Sequence, residues 1–130
     1  MTLAITGLYA ALTGVLILTL AAVVVMTRRQ ERIGIGDGDH RALRLRIRVH
    51  ANLIEYAPIA LILLGCAEAG GAPHWVLHLG GALFLVGRLL HPWGLTAGRG
   101  GYHLGRFTGT SATWLAILLL AGVNIGQFLA

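Results

Sequence analysis

Leu3 to Met26 is a run of twenty-four residues without a single charge. No other feature restricts the fold so strongly. A helix of that length, at ~1.5 Å per residue, crosses the ~30 Å hydrocarbon core of a bilayer with some tilt. A cleaved signal peptide is the competing reading. It fails because no basic region precedes the run and the run is too long. Arg28 and Arg29 stop the apolar sequence. Three more apolar stretches follow, so the expected spans lie near residues 3–26, 42–69, 74–92 and 107–128. The chain has 130 residues, 56% hydrophobic and 12% charged, and is too apolar to cover itself as an ordinary soluble domain. The expected fold is all-α: a four-helix integral membrane bundle forming a single membrane domain over residues 1–130.

The connections read as turn formers. Gln30 to His40 contains IGIGDGDH, rich in Gly and Asp. It lacks the Gly-Lys-Ser/Thr of a phosphate loop, and its acids are too sparse for a calcium cage. Helix two is expected to begin near His40 to Ala42 with Asp39 as its N-cap, and Gly70, Gly71 and Pro73 end it. Pro58 lies inside and kinks it. In span three, Gly80, Gly81 and Gly87 permit close approach of a neighbouring helix. Pro92 closes or kinks that span, and Trp75 and Trp93 bracket it as interfacial anchors. Leu95 to Arg106 reads as a Gly-rich loop.

All ten basic residues are Arg, against five acids. Seven of them, from Arg28 to Arg48, fall between the first two apolar runs. The positive-inside rule and anionic headgroups account for such a cluster more simply than nucleic acid does. The first and third loops carry Arg and the second does not. Both Arg-rich loops are therefore expected to be cytoplasmic. The polar part of helix two, Arg88 and Arg99 to Arg106 then share one end of the bundle. Cys66, the lone cysteine, excludes an internal disulfide and reads as a buried, inert thiol. His74 and His78 have the i, i+4 spacing of metal ligands but no convincing acid or Cys partners, so no metal site is expected.

The sharpest chemistry is in Arg41 to Pro58. Arg48, Asn52, Glu55 and Tyr56 stand at i, i+4, i+7 and i+8, within roughly 100° of arc on one helix face. Glu55 lies about two turns into an apolar span, where a carboxylate needs a partner; Arg48 and Arg88 are the candidates. Singly, Asn52 fits helix–helix hydrogen bonding, Tyr56 an interfacial aromatic and Arg48 a snorkelling cation. Together they suit a small zwitterionic or anionic ligand: guanidinium for carboxylate, carboxylate for ammonium, amide and phenol for peptide groups. His91 and His103 sit at the same end, either as proton carriers or as solvated loop residues.

RIRVHANLIEYAP, with its Arg-x-x-x-Asn-x-x-Glu-Tyr-x-Pro spacing, resembles the helix-two signature of the MAPEG superfamily, the membrane-associated proteins of eicosanoid and glutathione metabolism. The likeness extends to four helices and a basic first loop. It implies a homotrimer binding glutathione between subunits, with a lipophilic electrophile or lipid hydroperoxide arriving from the bilayer. Arg48, Asn52, Glu55 and Tyr56 match the family's glutathione-binding positions. His50, roughly 200° around the helix from Arg48, resembles a residue that reaches the adjacent subunit's glutathione. Arg28 or Arg29 resembles the arginine contributed by that neighbour, and Arg88 one late in the third helix. His91 stands where many members carry tyrosines and joins the candidate glutathione contacts. Arg106 resembles the catalytic arginine that stabilises the thiolate. Arg44 occupies a position that is often Glu in the family, and the loop before Arg106 is longer and richer in Gly. The alternative is a lipid- or partner-binding scaffold of the same fold without catalysis. A small transporter is the third reading, but it predicts polar residues along a path across the membrane rather than gathered at one end. Short loops and high Gly and Ala content point to a bacterial inner membrane protein.

Overall fold

The computed structural model describes residues 2–130. Four helices run in chain order: α1 (Ala4–Glu31), α2 (Arg41–Ala69), α3 (His74–Ala97) and α4 (Leu104–Leu129). Three of them, α1, α2 and α4, are long and apolar enough to cross a membrane. The fourth, α3, has 24 residues, a length that also suffices, but the buried Arg88 lowers its apolar character.

Helix boundaries depart from the sequence pattern where polar residues continue a helix. Arg28 and Arg29 end the apolar run of α1 but not the helix, which reaches Glu31 because both are good helix formers. The N-cap of α2 is His40, not Asp39: its ring nitrogen accepts from the Leu43 amide at 3.2 Å. Asp39 has a left-handed backbone (φ 57°), incompatible with the extended geometry of an N-cap, and its carboxylate turns to Arg44. Leu95 to Arg106 is not all loop. Pro92 removes one amide donor but leaves the helix intact, so α3 continues to Ala97. His103 then caps α4, accepting from the Gly105 amide, and Arg106 falls in the first turn of α4.

Two apolar clusters form the interior. One joins Tyr9, Leu64, Leu77 and Leu120; the other joins Leu53, Ala57, Ala60, Phe84 and Ala116. Outside them the chain is inside-out. Leu8, Val15 and Leu18 of α1 and Leu115 and Leu118 of α4 face outward, as lipid-facing or subunit-facing surfaces require. Trp75 and Trp93 project outward near opposite ends of α3.

Polar groups tie the end remote from the arginines. Leu3, at the start of α1, has no capping side chain. Instead Glu68 from α2 accepts the Ile5 and Thr6 amides at 2.9 and 2.7 Å. A carboxylate there satisfies two orphan donors and faces the positive end of the helix dipole. Glu68 is thus a cap between helices, not a metal partner for His74 and His78. Asn124 and Gln127 of α4 donate to the Leu63 and Ala67 carbonyls of α2. Cys66 is exposed rather than buried. It lies five turns from Arg48 on the same outward stripe of α2, where apolar character does not mean burial within one chain.

α3 and α4 pack most intimately. A side-chain carbon added at Gly87 would stand 2.8 Å from the Gly109 carbonyl oxygen, and one at Gly109 would stand 2.6 Å from the His91 nitrogen. At Gly94 it would overlap the backbone of Gly105 and Arg106. The two helices therefore touch backbone to backbone, the geometry that small residues at four-residue spacing allow. Gly87 was legible as such a position. Gly80 and Gly81 accommodate Leu120 and Tyr9 instead.

Candidate functional site

α2 begins outside the apolar zone and enters it near Val49, so its first two turns present arginines and its third presents Asn52. The close α3–α4 crossing brings His91 and Arg106 alongside. A cavity of about 700 Å³ results, lined by Arg41, Arg44, Arg48 and Asn52 of α2, His91 of α3 and Arg106 of α4. Arg99 and Gly100 close it from the α3–α4 loop, and Leu45 and Leu95 give it an apolar wall. The volume suits a ligand of peptide size.

Its charge is lopsided. Five guanidinium groups line it and no acid does. Arg44 is answered by Asp37 and Asp39, and its hydrogen bond holds the Asp37 carboxyl below the usual carboxylate range. Arg48 pairs with Glu55 at 3.3 Å. Arg41 and Arg106 donate only to carbonyls: Arg41 to Arg99 at 3.2 Å, Arg106 to Gly100 at 2.8 Å and Gly101 at 3.2 Å. Among the described residues, Arg41, Arg99 and Arg106 have no carboxylate partner. An anion entering this cavity meets several guanidinium groups at once, whose fields add across the cleft.

Arg88 stands behind that wall. It is 1% exposed, and its guanidinium donates to Asn52 Oδ1 at 2.8 Å and the Asn52 carbonyl at 3.3 Å. Its Cζ lies 5.2 Å from the centre of the Tyr56 ring, a cation–π distance. The Tyr56 hydroxyl accepts from Trp114 Nε1 of α4 at 3.2 Å. A buried cation held by an amide and a ring, with its Nε unpaired, is expensive to keep. It fixes Asn52 against α3 and adds positive potential to the cavity.

The residues singled out in the sequence thus divide. Arg48, Asn52, His91 and Arg106 share the cavity; Glu55 touches it through Arg48; Tyr56 and Arg88 form its backing. Arg28 and Arg29 line a separate hollow with Arg32, and Arg28 donates to the Gly36 carbonyl at 2.7 Å. His50 is half-buried on another side of α2 and does not line the cavity. Glu55 finds Arg48, not Arg88. Sequence reasoning missed Arg41, Arg44 and Arg99 as lining residues. The expected convergence of the two Arg-rich segments at one end was the signal that could have found them.

Asn52 serves both as helix glue and as cavity wall, and comparing two variants weighs the glue against the wall. Asn52→Ala removes the shorter of Arg88's two hydrogen bonds and is expected to lower stability by about 1.5 kcal/mol. Arg48→Ala breaks a half-exposed pair and is expected to cost under ~1 kcal/mol. Thermal unfolding in detergent checks the order; equal losses would contradict it.

The MAPEG family model matches residues 6–126. Inner membrane protein YecN of Escherichia coli strain K12 is 38% identical over 123 residues, which cover 93% of this chain and 90% of YecN. YecN of Escherichia coli O6:H1 strain CFT073 aligns with the same identity and coverage. No solved structure matches the chain significantly.

Proposed function

Because the chain belongs to the MAPEG family, we propose that it is a membrane glutathione transferase or peroxidase working as a homotrimer. The cavity carries the reading: about 700 Å³ at one end of the bundle, lined by cations with no acid among them. Glutathione has two carboxylates for those guanidiniums and an ammonium for Glu55, the carboxylate that Arg48 holds at the rim. Arg48 and Asn52 bind its acidic and peptide groups, with His91 beside them. Arg88 and Tyr56 set the wall from behind. Arg28, Arg29 and His50 lie off this cavity and serve the site of the neighbouring subunit. Arg106 stabilises the thiolate.

In conjugation the thiolate sulfur bonds to an electrophilic carbon and the leaving group departs with its electron pair. With a lipid hydroperoxide the sulfur attacks oxygen, the O–O bond breaks, an alcohol leaves, and a second glutathione reduces the sulfenate to the disulfide and water. The electrophile arrives laterally from the bilayer. The Arg-rich loops face the cytoplasm in this reading, an orientation that the arginine asymmetry between the loops supports.

The second reading is a scaffold that binds lipid or a partner without catalysis. The observation favouring it is Arg106, whose guanidinium already serves two loop carbonyls. Calorimetric titration of the purified protein with glutathione, alongside conjugation to a chlorodinitrobenzene, distinguishes them. Saturable binding with turnover supports the enzyme. Binding without turnover of either an electrophile or a hydroperoxide leaves the scaffold, and absence of binding ends both the enzyme and the co-substrate. Cross-linking in mild detergent should stop at three copies; a monomer or dimer contradicts a shared site.

A further inference from the structure

The other side of α2 carries a second cavity. Arg46 and Arg48 are two residues apart, hence ~160° apart around the helix, and so serve different faces. Arg46 heads a groove of about 500 Å³ between α1, α2 and the end of α3. Leu20 and Val23 of α1, Val49 of α2 and Pro92 of α3 wall it. Trp93 and Ala97 form its outer lip and are exposed, so it opens to the surroundings of the chain. The apolar walls lie at membrane depth. The guanidinium sits one turn closer to water, where a snorkelling arginine meets headgroups.

Arg46 is held in place. It donates to the hydroxyl of the buried Thr27, which itself donates to the Val23 carbonyl at 2.7 Å. One of its five N–H groups is thereby fixed and the guanidinium is oriented. Among the described residues no carboxylate pairs with it. An anchored cation without a counter-ion, above a groove with apolar walls, complements an amphiphile whose acid is at its head.

We propose that this groove is a binding site for an anionic phospholipid: its phosphate meets Arg46 and one acyl chain lies along Leu20, Val23, Val49 and Pro92. The site is independent of the glutathione reading. It nevertheless adjoins the other cavity, because Trp93 stacks edge-on against His103 at 4.9 Å, and His103 caps the helix bearing Arg106. A lipid held there braces the junction that positions Arg106.

The full-length protein in nanodiscs of equimolar phosphatidylglycerol and phosphatidylcholine provides the test. After extraction into mild detergent, the retained lipid is quantified by mass spectrometry. The wild type should retain phosphatidylglycerol about fivefold over phosphatidylcholine, the ratio that ~1 kcal/mol per headgroup-level arginine gives. Arg46→Gln removes the charge and Ala97→Trp fills the groove while keeping it; both should bring the ratio to about one. Arg32→Gln removes a nearby arginine outside the groove and should leave the preference intact. An unselective wild type overturns the proposal. So does full preference in either groove variant, or an equal loss in Arg32→Gln, which would reduce the effect to surface charge. Helicity and monodispersity of each variant confirm that folded proteins are compared.

Discussion

Gly94→Leu is expected to separate α3 from α4 and to lower stability by more than ~3 kcal/mol, the upper range for overpacked sites. Overpacking is usually moderated because a neighbouring side chain changes rotamer. At Gly94 no such relief exists. The atoms a new Cβ meets are the Gly105 carbonyl carbon and the Arg106 nitrogen and Cα, all backbone. Relief requires α4 itself to move, and α4 is pinned at Gly109 against His91 and Gly87. Trp93, the neighbour of Gly94 on α3, is packed over Gly105 as well. Gly126→Ala is the control: nothing lies within 4 Å of the added carbon, and a helical Gly→Ala exchange is expected to stabilise by up to ~1 kcal/mol. Thermal unfolding of both variants, with limited proteolysis at the α3–α4 loop, reads the result. Similar unfolding of Gly94→Leu and wild type would refute the backbone contact. The same substitution should also abolish ligand binding, because the crossing is what sets Arg106 beside His91.

This crossing marks a limit of sequence reading. Hydropathy runs locate the helices because a membrane span must satisfy its backbone internally and cover itself with apolar side chains. The same requirement says little about which face meets which. Gly105 and Gly109 carry the four-residue spacing of a close crossing, but in a chain with 19 glycines that spacing is weak information. The polar face of α2 was legible because its periodicity is local: Arg48 and Asn52 do reach the same cavity. The 100° arc that joins them to Glu55 and Tyr56 is wide enough to span two environments. Glu55 consequently stays with Arg48 at the rim while Tyr56 turns inward beneath Arg88. Arg41, Arg44 and Arg99 reach the cavity through tertiary placement of a helix start and a loop, which no periodicity encodes. Cys66 shows the converse error. In water an apolar neighbourhood predicts burial, whereas on a membrane helix it equally predicts the outer surface.

Arg106→Ala is expected to steepen the pH dependence of glutathione conjugation, so that its profile crosses the wild-type one, rather than merely to reduce the rate. A guanidinium near a thiol of ordinary pKa ~8.5 lowers it by about two units. The thiolate fraction at pH 6 is then about 24% with Arg106 and about 0.3% without it. The stabilised thiolate is also the weaker nucleophile: with the slope of ~0.45 that thiolates show toward sulfur, two units cost it about eightfold in reactivity. Combining the two, the variant should be about tenfold slower at pH 6, where ionisation limits it, and about sixfold faster at pH 9, where both thiols are ionised. The profiles should cross between pH 7 and pH 8. The hydrogen bonds from Arg106 to Gly100 and Gly101 supply the competing outcome. If the side chain only ties down the loop, its loss weakens glutathione binding or stability by the same factor at every pH. The two profiles then run parallel and never cross. Rates measured at saturating glutathione from pH 6 to pH 9, with Arg106→Lys as a variant that keeps the charge but not the double carbonyl contact, separate these cases. A crossing restored toward wild type by Lys assigns the effect to charge. Parallel profiles would remove Arg106 from the chemistry and leave it as a positioning residue of the α3–α4 loop.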